Sequence, residues 1–251
     1  QVILTSLGPR LGVGKINGKS AQGLFEKKES RRQSFDVFEG IAFLPVHGSL
    51  IQRHSFLSAE SGLMSYGEIG EAFHAAMDDV SVRAVYLDVD SPGGEVAGLF
   101  DLVDSMSARV GEKPIHAHIN ELSASAAYAI TTVADHISIP RTGMAGSVGV
   151  IVIHQEFSRM LDSEGVTVNI LRAGGRKADF NQYEKLSDTA REDVQADVER
   201  IREIFVQTVA RNRGIGPDNV RETEAALVAA PAALEMDLVD EIMSAEEAAA
   251  H

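Results

Sequence analysis

Cysteine is absent from this 251-residue chain, which excludes disulfide bonds, thiolate catalysis and cysteine-ligated metal sites. Long apolar runs are absent as well, since none approaches the ~20 residues that are needed to cross a bilayer. No signal peptide is visible, and the chain starts with Gln1 instead of Met, so we expect a fragment or a processed form. Together these absences favour a cytoplasmic protein with no membrane partner.

The charge is unevenly distributed along the chain, whose net charge is −14. Residues 1–34 contain seven Lys or Arg and two Glu, for a net charge of +5, whereas the remaining 217 residues carry −19. An acidic body of this kind argues against nucleic acid as the main partner. The basic start is rich in Gly, Ser and Gln, and we interpret residues 1–38 as a loosely ordered extension before a single domain of residues 39–251.

Apolar runs of strand length alternate with segments of helical spacing from residue 40 onward. The predicted strands cover residues 40–51, 83–90, 114–119, 136–140, 147–154 and 166–173. The predicted helices cover residues 65–80, 124–134, 155–165 and 189–213, the last with a capping box of Thr189 and Glu192 and a closing Gly214. This alternation predicts an α/β domain with a mostly parallel sheet flanked by helices.

Two strand–turn–helix segments contain residue types that carry chemistry. DVDSPGGEV, residues 88–96, places two glycines at the carboxyl end of a strand, where ligand sites of α/β sheets cluster. Glycines let bare backbone N–H groups approach a ligand, although an ordinary β–α turn has the same composition. NELSASAAYAI, residues 120–130, offers Ser123 and Ser125, each of which is either a helix cap or a nucleophile.

Asp88 and Asp90 lie two residues apart on one predicted strand face, a spacing that would suit a cation. We interpret both as structural, because no cluster of metal ligands is evident in the sequence. The sequence therefore predicts no metal site.

Four motifs follow one another along the chain: DVDSPGGEVAGLFDLV, SASAAYAITTVADHISIP, TGMAGSVGVIVIH and LRAGGRKADF. In this order they resemble the signal peptide peptidase A family of serine proteases, over roughly residues 40–245 of this chain. SGLMSYGEI and the first motif look most like the bacteriophage branch, the head-maturation (prohead) proteases. The resemblance implies a Clp/crotonase-like fold, a Ser–Lys dyad in place of a Ser–His–Asp triad, and no cofactor.

Carried over by position, the resemblance assigns the nucleophile to Ser125 and the general base to Lys177 in GGRKADF. It assigns the oxyanion hole to the backbone N–H groups of Gly94 and Ala126, the second following the usual geometry at a nucleophile. Ser123 is then left to the role of a helix cap.

A lysine acts as a base only when it is neutral, and a free lysine with a pKa of about 10.4 is protonated at pH 7. The glycines beside Lys177 favour a solvated loop, so we expect another subunit to cover it. Relatives in the family form rings or domes in which serine and lysine meet across a subunit boundary, which implies a homo-oligomer. His154, 29 residues after Ser125, is the competing base, because a Clp-type triad also places a histidine after its serine.

The resemblance implies a serine endopeptidase that cleaves scaffold or capsid-assembly polypeptides inside the assembling phage head, within a bacterial host. Three alternatives stay open. One is a bacterial-type signal peptide peptidase, another is a ring-forming scaffold component with a vestigial dyad, and the third is an acyl-CoA-processing crotonase relative. The intact Ser/Lys pair argues against the second, and the lack of a clear CoA-binding pattern argues against the third.

Overall fold

A mostly parallel β-sheet forms the centre of the computed structural model, which describes residues 35–53 and 62–250. Its strands are β1 (Asp36–Phe38), β2 (Ile41–Ile51), β3 (Leu63–Ser65), β4 (Ala84–Gly94), β5 (Ile115–Ala124), β6 (His136–Ile139), β7 (Met144–Gly146), β8 (Leu227–Ala229) and β9 (Glu241–Ile242). Their order in the sheet is β1-β2-β4-β5-β6-β9, with β3 beside β2 and with β7 between β5 and β8. Of the pairs described, β1/β2 and β7/β8 are antiparallel and the others parallel.

Helices connect these strands and flank the sheet, which confirms the predicted α/β class. They are α1 (Tyr66–Asp78), α2 (Leu99–Ser107), α3 (Ala126–Thr131), α4 (Ser158–Ser163), α5 (Asp188–Arg213), α6 (Pro217–Glu222), α7 (Ala230–Glu235) and α8 (Ala245–Ala250). Within these described helices, none has the length and apolar composition needed to cross a membrane.

The N-cap of the long helix α5 lies two residues before the predicted cap. Ser187 has extended backbone angles, and its hydroxyl accepts a hydrogen bond from the Ala190 N–H, so Ser187 is the N-cap. The predicted capping box of Thr189 and Glu192 is therefore wrong, because Thr189 already lies inside the helix. The predicted end is confirmed, since Gly214 closes α5 with a left-handed φ of +67°.

The hydrophobic core packs against the middle of the sheet and surrounds the carboxyl end of β5. Val85, Leu87 and Val89 of β4 are at most 1% exposed, and every residue of α3 is buried. Tyr128 of α3 lies fully inside the core, where its hydroxyl donates to the Leu238 carbonyl at 2.7 Å. The turn between β5 and α3 is therefore held by buried structure on both sides.

Two predicted strands are absent from the structure. Residues 147–154 and 166–173 form no strand, and only 144–146, just upstream, pair in the sheet as β7. Large apolar side chains in this region are exposed, notably Ile151 (83%) and Leu171 (97%). A strand requires a hydrogen-bonded neighbour, and the described part of this chain supplies none there. The β-branched composition alone therefore misled the prediction.

The predicted N-terminal extension, residues 1–38, lies outside the described residues apart from residues 35–38. Within these, Asp36–Phe38 form β1 and pair with β2, so they belong to the sheet. The extension itself stays a prediction.

Candidate active site

Ser125 lies at the sharp turn between β5 and α3. Its φ of +52° and ψ of −124° are unusual for a residue with a side chain, and such strain costs about 1–3 kcal/mol. Backbone bonds hold this geometry, because the Ser125 N–H donates to Gly146 and its carbonyl accepts from Ala129. The hydroxyl makes no capping hydrogen bond to the helix. A strained strand–turn–helix of this kind presents a serine hydroxyl outward, as in nucleophile elbows.

Ser123 has a different role from the predicted cap. It is fully buried within β5, and its hydroxyl hydrogen-bonds the Thr131 hydroxyl at 2.8 Å. The N-cap position of α3 belongs to Ser125 instead. Alternate residues of a strand point to opposite faces, but the turn after Ala124 breaks that alternation and separates the two serines.

The Gly93–Gly94 turn packs directly against the Ser125 turn. Gly93 has a φ of +93°, and a Cβ built there would lie 2.8 Å from the Ser125 Cβ and 2.9 Å from the Ala126 nitrogen. Gly94 packs on the other side, where a Cβ would lie 1.8 Å from the Leu50 carbonyl oxygen. Both close approaches require glycine.

The orientation of the Gly94 N–H follows from the β2/β4 ladder. Gly94 is in register with Leu50, and the Leu50 carbonyl accepts a hydrogen bond from the next residue, Glu95. In a parallel ladder alternate residues bond to opposite neighbours, so the Gly94 N–H points away from β2. Gly94 also lines the cleft that contains Ser125.

Buried side chains fix this turn from two sides. Ser91 is fully buried, and its hydroxyl donates to the Gly48 carbonyl at 2.6 Å and accepts from the Gly93 N–H at 3.1 Å. Tyr66 donates its hydroxyl to the Glu95 carbonyl. Burial, and then the charge of Glu95, raise the pKa of Tyr66, so the phenol stays protonated as this bond requires.

Ser91 is therefore expected to be a positioning residue whose loss slows turnover. Ser91→Ala removes the acceptor of the Gly93 N–H, which frees the turn to rotate. For the peptidase activity that the motif resemblance implies, we expect kcat to fall about tenfold with little change in KM, because the turn positions the Gly94 N–H where negative charge would develop in the transition state.

The matched control is Ser138→Ala, another fully buried serine that is bonded to His116 and His118. Both variants are expected to lower Tm, but only Ser91→Ala is expected to lower kcat. A kcat loss that is the same in both would mean that Ser91 serves stability alone.

A cleft of about 630 Å³ opens in front of Ser125. Its backbone side is formed by the Pro92–Gly94 turn and Ser147. The remaining lining mixes small, apolar, polar and charged residues: Val96, Gly149, Val150, Ile151, Gln195, Val198, Glu199, Arg202, Glu224 and Ala225. The cleft is thus large enough for several residues of a polypeptide, and Ser125 forms part of its lining.

Lys177 is not brought into this cleft. It is exposed, lies in a turn where its N–H donates to Gly174 at 3.1 Å, and is not among the residues that line the cleft. Its neighbour Arg176 pairs with Asp179 and with Asp193 of α5, which ties the loop to that helix. Within one chain, the structure therefore separates the predicted base from the Ser125 cleft.

His154, the competing base, is also outside the Ser125 cleft. Its Nε2 hydrogen-bonds the Asn181 carbonyl at 2.9 Å, and its ring centroid lies 4.4 Å from that of Phe180. Because a carbonyl only accepts, the Nε2 carries the proton. His154 instead lines the neighbouring groove.

The two strand aspartates behave as structural or surface groups. The Asp88 carboxylate lies 3.0 Å from the His47 Nε2. Across the described part of the chain, no group of three or more histidines and carboxylates is placed to hold a metal ion.

The sequence patterns do not single out Ser91 or separate the roles of the two glycines. The partner of the Ser91 hydroxyl, Gly48, is 43 residues away, so no local spacing reveals the bond. A serine before Pro-Gly-Gly at the end of a buried strand is the one signal that the sequence contains.

Comparison with known proteins places these features in a family. The model of "Peptidase family S49" matches residues 107–251. Head-tail preconnector protein GP5 of Enterobacteria phage P21 is 35% identical over 85% of this chain, and capsid assembly protease C of Escherichia phage lambda is 33% identical over 86%.

The matched regions cover 43% and 49% of those two proteins, so the chain spans about half the length of these relatives. The mostly parallel sheet flanked by helices is consistent with the Clp/crotonase-like fold that the motifs implied. On the extent of the family match and the similarity to the phage relatives, this chain belongs to peptidase family S49.

Proposed function

We propose that this protein is a serine endopeptidase in which Ser125 is the nucleophile and Lys177 the general base. The observation that carries the proposal is the strained Ser125 turn, which lies against the Gly93–Gly94 turn and lines a peptide-sized cleft. The backbone N–H groups of Gly94 and Ala126 form the oxyanion hole. Membership of peptidase family S49 supports the same chemistry.

The reaction proceeds through an acyl-enzyme. The Ser125 Oγ attacks the scissile carbonyl carbon while the neutral Lys177 amine takes the hydroxyl proton. The Gly94 and Ala126 N–H groups donate to the oxyanion, and the proton on Lys177 passes to the leaving amine as the C–N bond breaks. Water then attacks the ester, Lys177 accepts its proton, and that proton returns to the Ser125 Oγ.

The site is completed by a second copy of the chain in a ring or dome. Lysine is neutral near pH 7 only when it is removed from water, whereas the Lys177 side chain is exposed in the single chain. Apolar side chains of the same region that do not line the Ser125 cleft, such as Ile153 and Leu171, are more than three-quarters exposed. Apolar exposure of this kind marks a surface that another protein covers.

The substrates are polypeptides of phage head assembly, namely scaffold or capsid proteins. This part of the proposal is supported by the relative named capsid assembly protease C, from phage lambda. The protein would then act inside the assembling prohead, in the cytoplasm of a bacterial host.

An alkyl fluorophosphonate probe tests the nucleophile directly, because it forms a covalent bond with an activated serine. We expect the probe to label the assembled wild-type protein at Ser125, as mapped by mass spectrometry, and we expect no labelling of Ser125→Ala. Ser147→Ala is the matched control, since Ser147 lines the same cleft and its loss should leave labelling intact. Labelling that does not depend on Ser125, or no labelling at all, would favour a non-proteolytic scaffold component.

A further inference from the structure

A second groove, of about 670 Å³, adjoins the Ser125 cleft. The two share four lining residues: Val150, Ile151, Gln195 and Val198. They therefore form one continuous surface that includes Ser125 and runs between residues 150–159 and the first turns of α5. An extended polypeptide, which advances about 3.3 Å per residue, can follow such a surface beyond the scissile bond.

The far part of this surface is basic. Arg159, Lys185 and Arg191 line it, and Glu156 is the one carboxylate among the described residues that line the same groove. Hydrogen bonds from Ser158, then the nearby Arg159, hold the pKa of Glu156 below its usual range, so it stays ionised and the local balance is still positive. This contrasts with the net charge of −14 of the whole chain.

The three cations are also without ion-pair partners. Within residues 35–53 and 62–250, none of them has a carboxylate oxygen within the 4.0 Å of an ion pair. Arginines nearby are paired, since Arg172 bonds Glu184 and Arg176 bonds Asp193. The three positive charges are thus left available to a ligand.

We propose that this basic end of the groove is a substrate subsite that binds acidic side chains of the polypeptide, a few residues from the scissile bond. The inference rests on the proposed peptidase function for the identity of the ligand. The positive charges of Arg159, Lys185 and Arg191 favour an acidic segment of the polypeptide as the ligand. The four shared lining residues connect this subsite to the Ser125 cleft. Exposed ion pairs are individually weak, so three together are expected to give about a tenfold preference, which added salt reduces.

Direct binding tests the subsite without requiring turnover. The protein is Ser125→Ala, and the probe is a fluorescein-labelled decapeptide with three Glu in its second half, compared with the same peptide carrying Gln. By fluorescence anisotropy at low salt we expect the Glu peptide to bind about tenfold more tightly. The change R159Q/K185Q/R191Q is expected to abolish that preference, whereas R200Q, an exposed arginine of α5 outside the groove, is expected to retain it.

The remaining outcomes separate the subsite from the proposed peptidase function. Equal binding of the Glu and Gln peptides, or an equal effect of R200Q, overturns the subsite. A retained Glu preference with no Ser125-dependent cleavage by the wild type contradicts the peptidase function and leaves the subsite in place. If the triple change instead alters the sedimentation mass and not the peptide preference, a second copy of the chain occupies the groove and the proposal is wrong.

Discussion

Mixing Ser125→Ala protein with Lys177→Ala protein is expected to restore peptide hydrolysis that neither variant has alone. Each variant lacks one half of the dyad, and each is expected to lose at least about 10³-fold in kcat. In a mixed assembly, however, an intact Ser125 from one copy meets an intact Lys177 from another. About a quarter of the sites then regain both groups if copies mix at random.

The structural basis of this expectation is the position of Lys177. Its side chain is exposed and outside the Ser125 cleft of its own chain, and Arg176 ties its loop to α5. The loop therefore presents the lysine outward from its own chain. In the Ser125→Ala copy this outward lysine is intact, which is why that variant can supply the base.

The measurement follows cleavage of a quenched fluorescent peptide after the two variants are dissociated together and reassembled. His154→Ala serves as the control, because it retains both Ser125 and Lys177 and we therefore expect it to keep near wild-type activity on its own. If the mixture stays inactive although both variants assemble, the dyad does not form across subunits. Loss of activity in His154→Ala with retention in Lys177→Ala would identify histidine as the base instead.

The local elements around the site could be read from the sequence. The buried β4 and β5 and the serine turn have compositions that indicate their conformation, and both strands begin within one residue of the predicted start. Each strand runs further than predicted, β4 through the glycines to Gly94 and β5 to Ala124. Ser125 and Gly94 then line one cleft because the carboxyl ends of neighbouring parallel strands meet at the same edge of a sheet.

The remainder depends on partners that no local pattern contains. Residues 147–154 and 166–173 have strand composition, yet no neighbouring strand is described for them, and several of their apolar side chains, such as Ile151, Ile153 and Leu171, lie exposed. Likewise, Arg159 and Arg191 are 32 residues apart in the sequence and meet only because the chain folds back along α5. The sequence therefore predicts the strands and turns around Ser125 better than it predicts the basic groove or the position of the general base.

Gly93→Ala is expected to lower kcat by at least about 100-fold, a larger effect than its cost in stability would suggest. A Cβ at this position would lie 2.6 Å from the Ala124 carbonyl oxygen, 2.8 Å from the Ser125 Cβ and 2.9 Å from the Ala126 nitrogen. Two of these neighbours are backbone atoms of the Ser125 turn, so they cannot rotate away as a flexible side chain would. Displacing reacting groups by about 1 Å is enough to cost 10²-fold.

The left-handed φ of +93° adds a separate penalty of about 1–2 kcal/mol, which a control has to remove. Gly111→Ala provides it, because Gly111 has a nearly equal φ of +90° and no atom within 4 Å of the added Cβ. Both variants should lose similar stability from strain in a denaturant titration, with an additional loss for Gly93→Ala. Only Gly93→Ala should lose turnover and probe labelling, since only its methyl group reaches Ser125.

If both variants keep full activity, the Gly93–Gly94 turn does not shape the site. If both lose it equally, backbone strain and not contact with Ser125 is responsible.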